Sequence, residues 1–380
     1  MKKIGFIGYG LRSETMMRAF ATIQADITVA AVADPQREAA QKRMEGNPYC
    51  TNVHWYDNAA DMLNKEELDG VFIGTRCSLH TDLACMVLAR DIPLFLEKPV
   101  CISEEQYERL RTAAEGKTHR AVVSFPLRLS PIVAEVKRIV DSGLLGRITM
   151  VQAINNVPYG SVYYHSWYRD AAETGGLFLQ KTTHDIDYIN YLTGNRPAAA
   201  FAQTAKLHFT GSKPAGLHCP SCAEYRTCNE SSYVVGNVQK EDVQGDACCF
   251  ATDTGNEDEA SVIFTCPDGA LISYNQVFSV KKSAARRGCR LVGTKASVEF
   301  DFYTGVIRED RYFTPQVVEH TFHFPDGAHF GGDEQLALEF MALMNGQAPT
   351  ADLAGGLASA AACLAARRSA ETNAQVAIRY

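Results

Sequence analysis

The amino-acid sequence predicts an N-terminal α/β domain with a doubly wound parallel sheet over residues 1–126. It is followed by an α+β domain over residues 127–380 with a large, open, mainly antiparallel sheet. Three observations carry this. The first 125 or so residues alternate short apolar runs with helical periodicity, the pattern of parallel strands joined by right-handed crossovers. Beyond residue 147 the runs lengthen, alternate in polarity and are separated by turns such as Pro267-Asp268-Gly269, as in antiparallel sheets. And 380 residues, 46% of them hydrophobic and 21% charged, suffice for two units with a sizeable buried core.

In order, strands are expected at residues 3–8, 27–33, 70–74, 93–96 and 121–125, with helices at 14–23, 36–45, 79–89 and 104–114 between them. A linking helix at 132–142 leads to an alternating strand at 147–156 and an amphipathic helix at 183–192. Strands follow at 199–209, 259–266, 270–279, 290–292 and 297–302, and helices at 333–344 and 356–371 close the chain. These last helices, within 331–372, are expected to pack back on the first domain.

The formal net charge of -7 offers no field for phosphates, so neither nucleic acid nor an anionic membrane is an expected partner. Lys281, Lys282, Arg286, Arg287 and Arg290 read as a solvated loop or a local anion contact. No apolar run reaches membrane-spanning length, and the apolar start is broken by Gly8, Gly10, Arg12 and Glu14, so a cytoplasmic protein is expected.

Gly8-Tyr9-Gly10 follows a strand and precedes a helix. Glycines there allow a tight turn and close approach of a pyrophosphate to the helix N-terminus, the Rossmann arrangement. Gly8, Tyr9, Gly10, Leu11 and Arg12 are therefore candidate cofactor contacts. Ser13 holds the third glycine position and is small enough for helix–strand packing. Asp34 ends the next strand, where a carboxylate accepts hydrogen bonds from a ribose 2′-hydroxyl and repels a 2′-phosphate. NAD is favoured over NADP, with nearby Arg37 softening the preference. Glu97-Lys98-Pro99 ends a parallel strand, where ligands bind in such sheets.

Cys219, Cys222, Cys228 and then Cys248 or Cys249 lie in a polar insertion over residues 211–249. Four thiolates close a tetrahedron around zinc, and a metal staple would order a segment too polar to pack itself. The expected site is structural, with His218 as a spare ligand. The remaining cysteines read as small buried hydrophobes.

The ordered series of the glycine turn, Asp34, Thr75-Arg76-Cys77-Ser78-Leu79-His80, Glu97-Lys98-Pro99 and Gly175-Gly176 through Asp187 resembles the glucose–fructose oxidoreductase, inositol dehydrogenase and MocA family. The likeness extends to His329 and Gly331-Gly332-Asp333 before the final helices. It implies an NAD-dependent dehydrogenase acting on a sugar, inositol or glycoside. Thr75, His80, Glu97 and Lys98 join the cofactor contacts, and Lys98 and His184 flank the carbinol as catalytic residues. Family members often carry an aspartate four residues before that histidine; here it is Gln180, which orients a hydroxyl but does not ionise. Lys181 and Asp185 are its candidate substitutes, and Asp187 a structural partner or helix-face residue.

Arg128, Tyr164, Trp167, Arg169 and Lys181 are candidate substrate contacts, since aromatic planes and guanidinium groups suit sugar rings and their hydroxyl or acid groups. Two rival outcomes stand beside net oxidation. One is glycoside cleavage by transient oxidation, elimination and re-reduction; the other is a non-catalytic dinucleotide sensor. The apolar face of an open sheet makes a homo-oligomer the expected assembly.

Overall fold

The computed structural model describes residues 1–324 and 328–380. Its first sheet runs β1 (Lys2–Ile7), β2 (Ile27–Ala33), β3 (His54–Tyr56), β4 (Gly70–Ile73), β5 (Leu94–Leu96) and β6 (Ala121–Val123), in spatial order β3-β2-β1-β4-β5-β6. Every pairing is parallel. The crossovers carry α1 (Leu11–Thr22), α2 (Arg37–Met44), α3 (Ala59–Lys65), α4 (His80–Leu88) and α5 (Glu104–Ala113). Strand order reverses between β1 and β4, which opens a crevice at their carboxyl ends. Gly8, Gly74 and Glu97-Lys98 all fall at that edge.

Reading the sequence missed β3 and α3. β3 is a three-residue edge strand, His-Trp-Tyr, with no face fully buried. α3 is short and depends on its cap, the Asn58 side chain accepting from the Asp61 N–H.

After α6 (Pro131–Asp141) the second sheet has nine strands: β7 (Ile148–Asn156), β8 (Ala199–Ala205), β9 (Glu259–Thr265), β10 (Leu271–Val277), β11 (Arg286–Gly293), β12 (Ala296–Asp301), β13 (Val306–Arg311), β14 (Val317–Thr321) and β15 (Val376–Ala377). Their order is β14-β13-β12-β11-β7-β10-β9-β8-β15. The β7–β10 pair is parallel and the others antiparallel. β8 ends before the expected residue 209, because the buried Asp258 carboxylate accepts the N–H groups of Leu207, His208 and Phe209 and turns the chain. β11 begins four residues earlier than expected, and its basic start lies within the sheet.

The remaining helices are α7 (Gly160–His165), α8 (Ala171–Thr174), α9 (Leu177–Thr193), α10 (Gly332–Met344) and α11 (Leu353–Thr372). α10 returns to the first sheet, where Leu336, Phe340 and Met344 share one core with Ile4, Phe6, Phe20 and Phe95. α9 packs against α11 and is buried over most of its length. That length includes Gln180, Lys181, His184, Asp185 and Asp187. Buried polar side chains need partners, so the surroundings of α9 locate the chemistry.

Candidate active site

Gly8 takes φ +79°, and a Cβ there would lie 2.9 Å from the Gly74 carbonyl oxygen, so only glycine serves. Gly10 caps α1 without a side chain, and Glu14 is the first residue to bond back to it, at 3.1 Å. The N–H groups of Leu11, Arg12 and Ser13 therefore lack a helical acceptor and face the turn. Ser13 donates to the Gly8 carbonyl at 3.0 Å, while a Cβ on Gly74 would sit 2.6 Å from its Oγ. A small residue is required there, which accounts for serine in the third glycine position. Asp34 accepts from the Tyr9 and Gln36 N–H groups, each at 2.7 Å, and its carboxylate keeps lone pairs for hydroxyl donors. The Tyr9 ring is buried edge-on to Phe6 and is a core side chain. Arg37 lies over the Trp55 ring. A turn that a Cβ would fill, open helix N–H groups and a strand-end carboxylate fit NAD.

The Arg12 side chain leaves the turn and binds Glu97 (Nε–Oε1 2.9 Å), Asp333 (Nη2–Oδ1 2.7 Å) and Ser124 (3.0 Å). Asp333 also meets His329 Nδ1 at 3.0 Å. Burial would raise the Asp333 carboxyl, but Arg12 and His329 outweigh it and hold it well below the usual carboxylate range. His80 is buried between two carbonyl oxygens, Pro99 at 2.8 Å and Thr75 at 3.3 Å, and ties the ends of β4 and β5 together. The Lys98–Pro99 peptide is cis.

Lys98 Nζ donates to the Gln180 carbonyl at 2.9 Å and so joins β5 to α9. Burial, with repulsion from Lys181, pushes Lys98 down to about 7. Gln180 and His184 lie one turn apart on α9, on one face. Burial, then the charges of Lys98 and Arg287, hold His184 well below its usual value. His184 Nδ1 and Gln180 Oε1 have no hydrogen-bond partner among the described residues. Lys181 donates to the phenols of Tyr159 (2.7 Å) and Tyr163 (3.0 Å). Asp185, fully buried, accepts from Arg287 Nε, Asn155 Nδ2 and the Tyr274 hydroxyl, each at 2.8 Å.

Three expected substrate contacts are committed to the scaffold instead. Arg128 makes a bidentate pair with buried Asp187 and donates to the Thr350 carbonyl at 2.6 Å. Tyr164 is core, stacked on Phe209 with its hydroxyl on the Glu257 carbonyl at 2.6 Å. Arg169 pairs with Asp253 at 2.6 Å, and Asp253 in turn accepts the Gly216 N–H of the Cys-rich insertion at 3.1 Å. Trp167 is part-exposed, sandwiched by Tyr168 and the Arg76 guanidinium, beside the Thr75 turn. Tyr159 and Tyr163 went unnoticed in the sequence, and Arg287 was read there only as part of a basic cluster, a solvated loop or a local anion contact. For Arg287 a signal existed: it shares strand parity with inward-facing Cys289 and Leu291, so it is buried, not solvated.

The cysteine expectation needs correcting. Cys219, Cys222, Cys228, Cys248 and Cys249 line one cavity. Yet among the described residues no group of three or more His, Cys, Asp or Glu side chains is placed to hold a metal ion, so zinc finds no support. Hydrogen bonds and packing hold the insertion to the rest of the domain. His165 bridges the Ala247 carbonyl (2.5 Å) and the Glu230 carbonyl (2.6 Å), and Cys219 and Cys248 N–H groups bond to Asp246 and Leu217. Cys249 and Phe209 pack with Tyr164 and Phe278 beneath it. His218 pairs with Asp246 at the surface.

Residues 2–125 match the family model for the oxidoreductase family, NAD-binding Rossmann fold, and residues 133–299 match that for the GFO/IDH/MocA C-terminal domain. The chain belongs to the glucose–fructose oxidoreductase, inositol dehydrogenase and MocA family. Within this family it is 26% identical over 383 residues to the putative oxidoreductase YteT of Bacillus subtilis, covering 88% of this chain and 87% of that protein. It is 30% identical over 207 residues to inositol 2-dehydrogenase 2 of Saccharopolyspora erythraea, covering 53% and 57%. In fold it resembles levoglucosan dehydrogenase, solved with NADH and levoglucosan, at a TM-score of 0.78 and 16% identity over both whole chains. The family is one of oxidoreductases, and this chain is an NAD-binding oxidoreductase. Among the described residues no helix is long and apolar enough to cross a membrane.

Proposed function

We propose that the chain transfers a hydride from a secondary alcohol of a sugar, inositol or related glycoside to NAD, with His184 as base and Lys98 as relay. The carrying observation is the Lys98–Gln180 contact, which sets a strand-end lysine against the Gln180–His184 face of α9. Gly8, Gly10 and the N–H groups of Leu11 and Arg12 would hold the diphosphate, and Asp34 the adenosine ribose. When bound, NAD supplies the two-electron acceptor. His184, kept neutral by burial and neighbouring cations, takes the hydroxyl proton as the hydride leaves carbon. Lys98 passes the proton on, and the Gln180 amide orients the hydroxyl. Trp167 remains the candidate ring contact. NADH formation across a panel of sugars and polyols tests this reading, and no turnover with any of them would sink it. Aglycone release without net NADH would move the reaction to the redox-neutral alternative.

Both groups act unprotonated. Since Lys98 loses its proton near 7, kcat/KM for oxidation is expected to rise with pH and level off above about 7. A Lys98→Met variant should lose that limb; an unchanged profile in the variant would remove Lys98 from the relay. The cofactor preference is tested separately. Asp34→Ala is expected to narrow the margin of NAD over NADP by about tenfold or more, read from the two dissociation constants.

The same reading assigns residues 1–126 to the cofactor and 127–380 to substrate and assembly. Phe201 and Ile263 face each other across β8 and β9 at 45% and 50% exposure, an apolar patch for a second copy of the chain. Light scattering that returns a monomer mass would dismiss that assembly.

A further inference from the structure

We infer that the alcohol oxidised here carries a carboxylate, as uronates and aldonates do, and that Arg287 and Lys181 hold it. This rests on the dehydrogenase reading for where the reacting carbon lies and adds the charge of the substrate. The basic side chains around His184 outnumber the carboxylates near them that are free to answer them. Lys98, Lys181 and Arg287 all bear on His184. Asp185 is the carboxylate among them, and it is already occupied by Arg287, Asn155 and Tyr274. Glu97 and Asp333 are engaged by Arg12 and His329.

Lys181 is 5% exposed, and its hydrogen-bond partners are two phenols. Burial raises Tyr159 and Tyr163, so both stay protonated and cannot neutralise an ammonium. Burial and the Arg287 charge hold Lys181 well below its usual value, and a ligand carboxylate beside it would restore its proton. Arg287 is 4% exposed; its Nε is bound to Asp185, while its buried Nη2 has no partner among the described residues. A planar guanidinium with an open amino group matches a carboxylate in geometry as well as charge. Lys181 precedes His184 by three residues on the same helical surface. Arg287 comes from β11, paired with Asn155 of β7, whose amide reaches the same Asp185. The two basic side chains thus flank the base from helix and sheet. The redox step is unchanged: hydride goes from the carbinol carbon to NAD, the hydroxyl proton to His184, a carbonyl forms, and the carboxylate passes through untouched.

The test uses the full chain saturated with NADH. It is titrated with D-glucuronate and D-galacturonate, and with D-glucose and D-galactose as their neutral counterparts, while turnover is measured in parallel with NAD. The acids are expected to bind about tenfold or more tighter than their counterparts, and Lys181→Gln to lose that margin while retaining NADH. Lys181 partners two phenols, so its replacement strands no carboxylate. Arg287→Lys keeps a cation for Asp185 but removes the fork, and should weaken the acids selectively. Equal affinity for acids and neutral sugars, a margin that survives both substitutions, or no binding of either acid would overturn the inference. Selective acid binding without NADH from any substrate would leave the carboxylate site standing and remove the hydride-transfer reading. NADH from neutral sugars alone would do the reverse.

Discussion

His184→Asn is expected to lower kcat for alcohol oxidation by about 10²- to 10⁴-fold, the usual contribution of a positioned general base. Affinity for NADH should be unchanged. Asparagine approximates the volume of imidazole and keeps a polar atom near the position of Nδ1, but it accepts no proton. His184 packs edge-on to Phe125, ring centroids 5.9 Å apart, and stands 6.1 Å from the His329 ring. A purely structural histidine in that setting would show its loss as a lower Tm with kcat nearly intact. Single-turnover rates beside a melting curve separate the two, and a fall in kcat of less than about tenfold would reject His184 as the base.

Arg128→Ala should lower the unfolding free energy by about 3–5 kcal/mol, the range for breaking a buried pair from one side. Asp187 is completely buried and, without its counterion, would have to take up a proton or remain an unpaired charge. The pair joins the segment after β6 to α9, so its loss also loosens the helix that carries Gln180, Lys181 and His184. Urea unfolding gives the first effect directly. The double variant Arg128→Met, Asp187→Leu should recover most of the stability, because it removes both charges together. A single variant with a wild-type midpoint would show that the pair contributes nothing.

What could be read from the sequence was local. The glycine turn, the Lys-Pro strand end and the α9 signature each advertise themselves within a few residues, because backbone conformation and strand termination are short-range. Arg287 was hidden because its meaning comes from Asp185, 102 positions away, and a run of basic residues suggests solvent. Arg128 was misassigned for the same reason: its partner is 59 positions distant. The Cys-rich insertion looked unable to order itself because it is polar, yet a single buried histidine from α7 satisfies two of its carbonyls. The edge strands β3 and β14, and β13 beside β14, bury little apolar surface, so periodicity gave them no weight.

Arg12 has two ends with two loyalties. Its N–H belongs to the turn built for a diphosphate, and its guanidinium to Glu97 and Asp333, which binds the start of α10. Filling the turn is therefore expected to tighten the clasp on a helix whose phenylalanine completes the core of the first sheet. By linkage the dinucleotide is then expected to act as a folding ligand for the far end of the chain. Survival under a protease should then track cofactor supply, with starved molecules cut first near α10 and replete ones spared.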